Sequence, residues 1–228
     1  MAATDAYYWI IDYRIDFLSD FHVGSGITLV GGNLFGLELD ARGLPLIPHT
    51  EIRGLLRLGG RRLEEWCFPL AGYCDRNFGA RREPDRDPGY WSFTGARFRV
   101  ADDYSSGLAR ERVLGAQSHV RLSADEVVEN LFACQKAGAG GVGEGWCGRI
   151  YSRRPLPERE VAFLAACMRA EDRVGHRRSR GYGRVDWRIK KLHCYLPGGK
   201  LDEVTSNSPE ELLDGLLEYL FGRMEVNK

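Results

Sequence analysis

Residues 173–189 read RVGHRRSRGYGRVDWRI and pass from a glycine-rich loop into a strand. The stretch holds six arginines and three glycines. Val185, Trp187 and Ile189 alternate with polar residues, which is the period of a half-buried strand. Just upstream, Pro157 is placed to begin a helix with an apolar face. The stretch therefore predicts a loop that joins the last helix of a core to its last strand.

The glycines and arginines of this loop favour an anionic ligand. Glycine lets backbone N–H groups approach a ligand closely, and the arginine guanidinium matches the oxygens of phosphate. The loop is not a dinucleotide fingerprint, because that motif follows a strand and opens a helix. A phosphodiester backbone is the ligand that fits best, and a solvated loop with arginines for solubility is the alternative.

Strand alternation and helical periodicity also predict the other core elements. Residues 9–17 alternate as a strand, Thr50 caps a helix that runs to about Trp66, and residues 96–100 alternate again. Two further strand candidates lie near 128–136 and 146–153. With these two candidates taken together as the third strand, the order is βαββαβ, that of the ferredoxin-like fold, which includes RNA-recognition domains. We therefore predict an α+β, ferredoxin-like/RRM-like domain.

The rest of the chain is predicted to decorate this core. Residues 67–92 and 103–127 are rich in glycine, proline and charge, and are expected to be long irregular insertions. The segment SPEELLDGLLEYLFG has a capping box at its start, so a C-terminal helix is expected at about 208–222. With no internal repeat or linker, we predict one domain over residues 1–228.

Composition limits the choice of partner and compartment. Lysine plus arginine equal aspartate plus glutamate at 32 each, so any attraction for nucleic acid must come from local clusters. No apolar run approaches the roughly 20 residues that span a bilayer. The N-terminus lacks the pattern of a signal peptide, and the six cysteines are scattered. We expect a cytoplasmic protein with no membrane partner.

One such local cluster lies on the first helix. Arg53, Arg57 and Arg61 recur every four residues, so they form a basic stripe along one face. This stripe could face RNA together with the arginine–glycine loop, or it could be a solvated helix side.

Five segments resemble motifs of the repeat-associated mysterious protein (RAMP) superfamily, the RNA-binding subunits of CRISPR systems, in the same order. VGHRRSRGYGRV (174–185) resembles the C-terminal glycine-rich loop, and FHVGSG (21–26) resembles the glycine turn after the first strand. GLPLIPHTEIRGLLR (43–57) resembles the proline-led entry into the first helix. CDRNFG with FTGARFRVADDY, and HVRLS with LFACQKAGAGGVGEGWCGRI, are similar to the segments around the central strands. The resemblance extends from about Tyr8 to Lys190.

The relatives with this combination are mostly backbone subunits of type III CRISPR effector complexes, which act in antiviral defence. The resemblance implies binding to the backbone of a guide crRNA, with a complementary target RNA and other CRISPR effector subunits as further partners. The RNA-binding residues that it implies are Gly24, Gly26, Arg53, Arg57, Gly175, Arg177, Arg178, Arg180, Gly181, Gly183 and Arg184.

The resemblance also bears on RNA cleavage. Cleaving relatives carry an aspartate, which works with divalent metal, in the loop between the glycine turn and the following hairpin. Here that loop, residues 27–36, contains no carboxylate, and Asn33 is the nearest polar residue. Asp20 and Asp40 lie outside it. We therefore predict a subunit with no catalytic residue and no cofactor, which does not cut target RNA.

Three alternatives remain open. A metal-independent endoribonuclease of the same superfamily, which processes CRISPR precursor RNA, could use His22 or His49 as general acid or base. A protein-binding scaffold or capping subunit would use the insertions as contact surfaces. The segment 103–127, with its arginines, could instead press between guide and target bases, or be a surface loop; these arginines are Arg110, Arg112 and Arg121.

Zinc is the alternative raised by the cysteines. Some relatives carry a small zinc site in the first insertion, where this chain has Cys67 and Cys74. The six residues between them exceed the two typical of zinc knuckles, and further ligands would have to come from Cys134, Cys147 or a histidine. Burial as small apolar side chains is the commoner fate of such cysteines.

Overall fold

The computed structural model describes residues 6–29, 34–79, 88–100, 114–122, 128–137, 143–175, 182–195, 201–204 and 209–225. Its strands are β1 (Tyr8–Phe17), β2 (Gly24–Leu29), β3 (Leu34–Leu37), β4 (Leu46–Ile47), β5 (Trp91–Phe93), β6 (Ala96–Val100), β7 (Leu114–Leu122), β8 (Val128–Ala137), β9 (Gly143–Ser152), β10 (Val185–Tyr195) and β11 (Leu201–Val204). Its α-helices are α1 (His49–Trp66), α2 (Tyr73–Phe78), α3 (Glu158–Ala170) and α4 (Pro209–Glu225), with a 3-10 turn at Phe68–Leu70.

The central sheet has the ferredoxin-like strand order. Its strands run β11-β10-β1-β9-β6-β4, with β5 also paired to β9. In the ferredoxin-like order, β1 is the first core strand, β6 the second, β9 the third and β10 the fourth. Neighbouring strands in this set of four are antiparallel. The predicted α+β, ferredoxin-like fold is therefore confirmed.

The core lies between this sheet and the helices. Trp9, Ile11, Tyr13, Ile15 and Phe17 alternate along β1 and are all buried, as the period of two requires. Helix α3 is buried along its length because it packs between α1 and α4. The predicted C-terminal helix is observed as α4, which covers α3 and β10.

Both predicted insertions contain regular structure, which corrects the expectation of irregular loops. Residues 67–92 include the 3-10 turn, α2 and the start of β5, and residues 103–127 include β7. The remaining parts, 80–87, 101–113 and 123–127, lie outside the described residues. The β7 sequence LGAQSHVRL mixes small, polar and apolar residues, so its period is too weak to stand out.

One predicted core strand belongs elsewhere. The segment near 128–136 was expected in the central sheet, but β8 pairs with β7 and β3 in a second sheet of order β2-β3-β8-β7. The third core strand is β9 alone. Strands β5 and β6 both pair with β9 on either side of Thr94–Gly95, so together they supply the second core strand.

In the described part of the chain, no helix is long and apolar enough to cross a membrane.

Candidate nucleic-acid interface

The structure brings the two glycine motifs together at the C-terminal end of β1. The N–H of Gly183 donates to the carbonyl of Asp20 at 2.8 Å, and the N–H of Arg184 donates to the Ser19 hydroxyl at 2.9 Å. Within the loop stem, the N–H of Val174 donates to the carbonyl of Gly183 at 2.8 Å. The base of the glycine loop (175–184) is therefore bonded to residues 19–20, just before the glycine turn (21–26).

Glycine is required at both ends of this loop. Gly175 has φ +87°, and a Cβ there would lie 2.5 Å from the carbonyl oxygen of His22. Gly183 has φ +71°, and a Cβ there would collide with the backbone of Val174. Both positions combine a left-handed backbone with a close approach that excludes a side chain. The stem therefore needs glycine at both of these positions.

The predicted binding residues of the loop tip lie outside the described residues; these are Arg177, Arg178, Arg180 and Gly181. Arg184, at the end of the loop, is exposed. Gly24 and Gly26 lie in β2, where Gly24 pairs with Leu37. The described stem therefore lies next to residues 19–20, just before β2.

The predicted arginine stripe of α1 is engaged within the protein. The Arg53 guanidinium donates to the carbonyls of Phe78 and Pro88, the second at 3.0 Å. Arg57 lies 3.3 Å from the carboxylate of Asp75, which also pairs with Arg61. Burial lowers the pKa of the Arg53 guanidinium, and the charges of Arg57 and Arg153 lower it further. These arginines fix the segment around α2 to α1, and guide binding by Arg53 and Arg57 stays a prediction.

The two candidate histidines have different surroundings. His22 is buried at the glycine turn, with only 6 % of its surface exposed. His49 is exposed at the first position of α1. A substrate in solution can reach His49 directly, whereas His22 is covered.

Of the two candidate zinc ligands, Cys74 is buried and Cys67 is half-buried. The Cys74 thiol donates to the carbonyl of Arg57 at 3.4 Å, and its burial raises its pKa to about 11. Cys67 follows the last turn of α1 and is half-buried. Within the described residues, no three His, Cys, Asp or Glu side chains are grouped so that they could hold a metal ion.

Sequence reasoning missed a basic groove on the open face of the central sheet, opposite the helices. The groove has a volume of about 890 Å³. Because its side chains come from strands far apart in sequence, no local motif marks it. The basic residues that line it are Arg14, Arg97, Arg99, Arg149, Lys190 and Lys191. His49 also lines the groove, as do the acidic residues Asp12 and Glu38.

Comparisons with known proteins bear on the fold. No protein-family model and no curated protein sequence matches the chain. A chain from the cryo-EM structure of the type III-B Cmr-beta bound to cognate target RNA is similar in structure, with a TM-score of 0.53 and 13 % sequence identity. The match covers 81 % of this chain and 98 % of that one. The two chains therefore share a fold over most of their lengths.

Proposed function

We propose that the chain is a subunit of a type III CRISPR ribonucleoprotein. It binds the backbone of the guide crRNA and helps to present the guide for pairing with target RNA. The observation that carries this proposal is the contact between the glycine-loop stem and the glycine turn. It joins, in a ferredoxin-like fold, the two motifs through which the chain resembles RAMP proteins.

The structural comparison supports the same setting. The similar chain belongs to an assembly bound to cognate target RNA. Guide and target RNA, together with other subunits of such an assembly, are accordingly the partners that we propose. Contacts to phosphate carry no sequence information, which suits a subunit that must accept any guide.

The side chains near the glycine turn support binding without cleavage. Asp40 lies outside the 27–36 loop and is committed to a turn. Its carboxylate accepts the N–H groups of Arg42 and Leu44 at 2.9 and 3.1 Å, and it pairs with the Arg42 side chain. A carboxylate held in this way is poorly placed to bind a catalytic metal.

Co-expression with the genomic neighbours and a CRISPR array tests the proposal. The complex is purified through this chain, and the RNA that survives is sequenced. We expect spacer RNA with a common repeat-derived end for the wild type. We expect none after Arg177→Glu, Arg178→Glu and Arg180→Glu together, because reversed charge repels phosphate.

The matched control reverses three exposed arginines elsewhere, Arg154, Arg159 and Arg169. It should retain guide RNA. Equal RNA recovery from both triple variants would refute guide binding by the loop. A well-folded complex that contains no RNA would point to a protein-binding scaffold or capping subunit.

One observation favours a second candidate, the metal-independent processing endoribonuclease. Exposed His49 lines the basic groove, so a general acid or base and cationic groups share one surface. The test is cleavage of precursor RNA by the chain alone in a metal chelator. Loss of about 100-fold or more in rate after His49→Ala would identify His49 as catalytic. No cleavage by the wild type would eliminate this candidate.

A further inference from the structure

The strand register aligns arginines across the open face of the central sheet. Arg97 of β6 pairs with Cys147 of β9, Cys147 pairs with Arg14 of β1, and Arg14 pairs with Arg188 of β10. Directly paired residues project from the same face of a sheet. Three guanidinium groups, from β6, β1 and β10, therefore share one row across four neighbouring strands.

Some of the positive charge on this face is neutralised by neighbouring carboxylates. Arg14 lies 2.6 Å from Asp16, and Arg188 lies 3.2 Å from Asp16 and 3.1 Å from Asp186. Arg149 forms a two-pronged pair with Asp12. These pairs hold the arginines in place and reduce their net attraction for an anion.

Three cations of the groove carry net charge. Arg97, Arg99 and Lys190 are exposed, and in the part of the chain that the structure describes no carboxylate forms an ion pair with them. Arg97 and Arg99 project from β6 on one side of the groove, and Lys190 lies on β10 on the other. The groove is therefore positive on both of its walls.

A β-bulge in β10 places two adjacent lysines on this face. The pairing of β1 with β10 passes from Asp12↔Lys191 to Tyr13↔Ile189, so Lys190 is the extra residue of a bulge. Lys190 and its neighbour Lys191 are both exposed at this point. A regular strand would send one of the two side chains towards the helices.

The dimensions suit one extended strand of nucleic acid. Strands β6 and β10 are separated by β9 and β1, which places them about 14 Å apart at the usual spacing of neighbouring strands. Gly95 and Gly148 are among the residues that line the groove between them. A duplex is wider than this separation, whereas one phosphodiester backbone fits between the two basic walls.

The chemistry disfavours a protein ligand. Protein interfaces depend on large apolar or aromatic anchors. Among the described residues, the large apolar side chains that are exposed all lie away from the groove; they are Tyr8, Leu18, Leu58, Trp66 and Phe221. Leu46 and Tyr151 also line the groove, but both are half-buried. The exposed part of the groove is therefore dominated by guanidinium and ammonium donors, which match phosphate oxygens.

We infer that the basic groove is a second nucleic-acid site, which binds the backbone of single-stranded RNA through Arg97, Arg99 and Lys190. It lies on the opposite face of the central sheet from the helices and shares no residue with the glycine loop. The groove therefore binds RNA whether or not the loop holds a guide.

Binding of a labelled oligouridine to the purified full-length chain tests this inference. The dissociation constant is measured by fluorescence anisotropy between about 50 and 200 mM salt. The groove variant combines Arg97→Ala, Arg99→Ala and Lys190→Ala, and the control combines Arg154→Ala, Arg159→Ala and Arg169→Ala. Each lost phosphate contact on a single strand reduces the slope of log affinity against log salt by about 0.7, so the groove variant should lose about 2.

Each outcome decides the matter. A wild-type slope in the control and a reduced slope in the groove variant support the site. Equal slopes in all three proteins overturn it, and so does the absence of wild-type binding at low salt. Displacement of oligouridine by polyglutamate as readily as by unlabelled RNA would overturn it in favour of an acidic protein ligand.

Two further measurements separate this inference from the proposed function and from misfolding. Crosslinking of 4-thiouridine RNA to the wild type should label peptides around residues 90–100 and 186–195, with no substitution needed. In the co-expressed complex, the groove variant should keep its guide while the glycine-loop variant loses it. Crosslinks confined to the loop would overturn the groove site and leave the guide proposal intact.

Discussion

At the scale of single residues, the glycine stem depends on two backbone conformations. Gly183→Ala places a Cβ against the backbone of Val174 at φ +71°. We expect the free energy of unfolding to fall by about 1–3 kcal/mol, measured by urea denaturation, because neither the conformation nor the backbone contact can relax cheaply.

The matched control is Gly54→Ala. Gly54 lies in α1, and a Cβ there would meet open space. This substitution should raise the free energy of unfolding by about 0.5–1 kcal/mol, because alanine is the better helix former. Changes of the same sign at both sites would contradict the assignment of Gly183 as a constrained stem position.

Asp40 gives a residue-scale prediction about pH. Burial opposes its ionisation, but hydrogen bonds from the Arg42 side chain and from the backbone of Leu44 and Arg42 outweigh burial and lower its pKa. A folded-state pKa below the unfolded value of about 3.9 stabilises the fold above that pH. The stabilisation is lost as pH falls through the folded-state pKa.

The Asp40→Asn variant tests this directly. Its stability deficit relative to the wild type should be full near neutral pH and should shrink below about pH 4. Urea unfolding at a series of pH values measures the difference. A deficit that does not change with pH would show that the turn does not depend on the Asp40 charge.

At the scale of elements, Asn77 ties three of them together. Its side-chain amide donates to the buried carboxylate of Glu160 on α3 at 2.7 Å, and it accepts the indole N–H of Trp91 on β5 at 2.6 Å. Asn77 itself is in α2 and fully buried. The network explains how the short helix α2 is held against the core.

Asn77→Ala should lower the free energy of unfolding by about 3 kcal/mol, because it leaves a buried indole N–H and a buried carboxylate short of a partner. Arg159→Ala is the control. Arg159 lies 3.7 Å from the Glu160 carboxylate but is mostly exposed, so its loss should cost less than about 1 kcal/mol. Similar losses in the two variants would contradict the central role of Asn77.

The elements also show which parts of the fold were predictable. β1, α1, α3 and β10 each bury a regular apolar face, so period two or 3.6 is visible in the sequence. β5 and β7 are short or mixed in composition, and their pairing with β9 and β8 rather than their own residues makes them strands. Local pattern cannot reveal a strand that exists because of its partner.

Binding surfaces likewise divide into those that the sequence reveals and those that it does not. The glycine motifs were visible because each is contiguous in sequence, and the structure joins their described ends. The basic groove was not visible because it combines residues near 97, 149 and 190 through sheet register. The Arg53 and Arg57 stripe was visible, but its carbonyl and carboxylate partners around Asp75 were not.

At the scale of the whole molecule, the equal numbers of positive and negative side chains limit how strongly the chain can attract RNA. With 32 cationic and 32 anionic side chains, the chain has no net field to draw in RNA from a distance. Among the described residues, the open face carries three exposed cations that form no ion pair with a carboxylate, Arg97, Arg99 and Lys190, and the loop sequence at 177–180 contains three arginines. Binding should therefore be selective for those surfaces and should weaken steeply with salt.

Cleavage of target RNA can be tested in the assembled complex. We expect target RNA paired with the bound guide to stay intact in magnesium, because the 27–36 loop lacks a carboxylate and Asp40 is held in its turn. Labelled target and a non-complementary RNA are incubated with the complex and resolved on a denaturing gel. Cuts at regular intervals in the complementary target alone would contradict the prediction. If Asp20→Asn then abolished those cuts, Asp20 would be the metal-binding carboxylate and the subunit would be a nuclease.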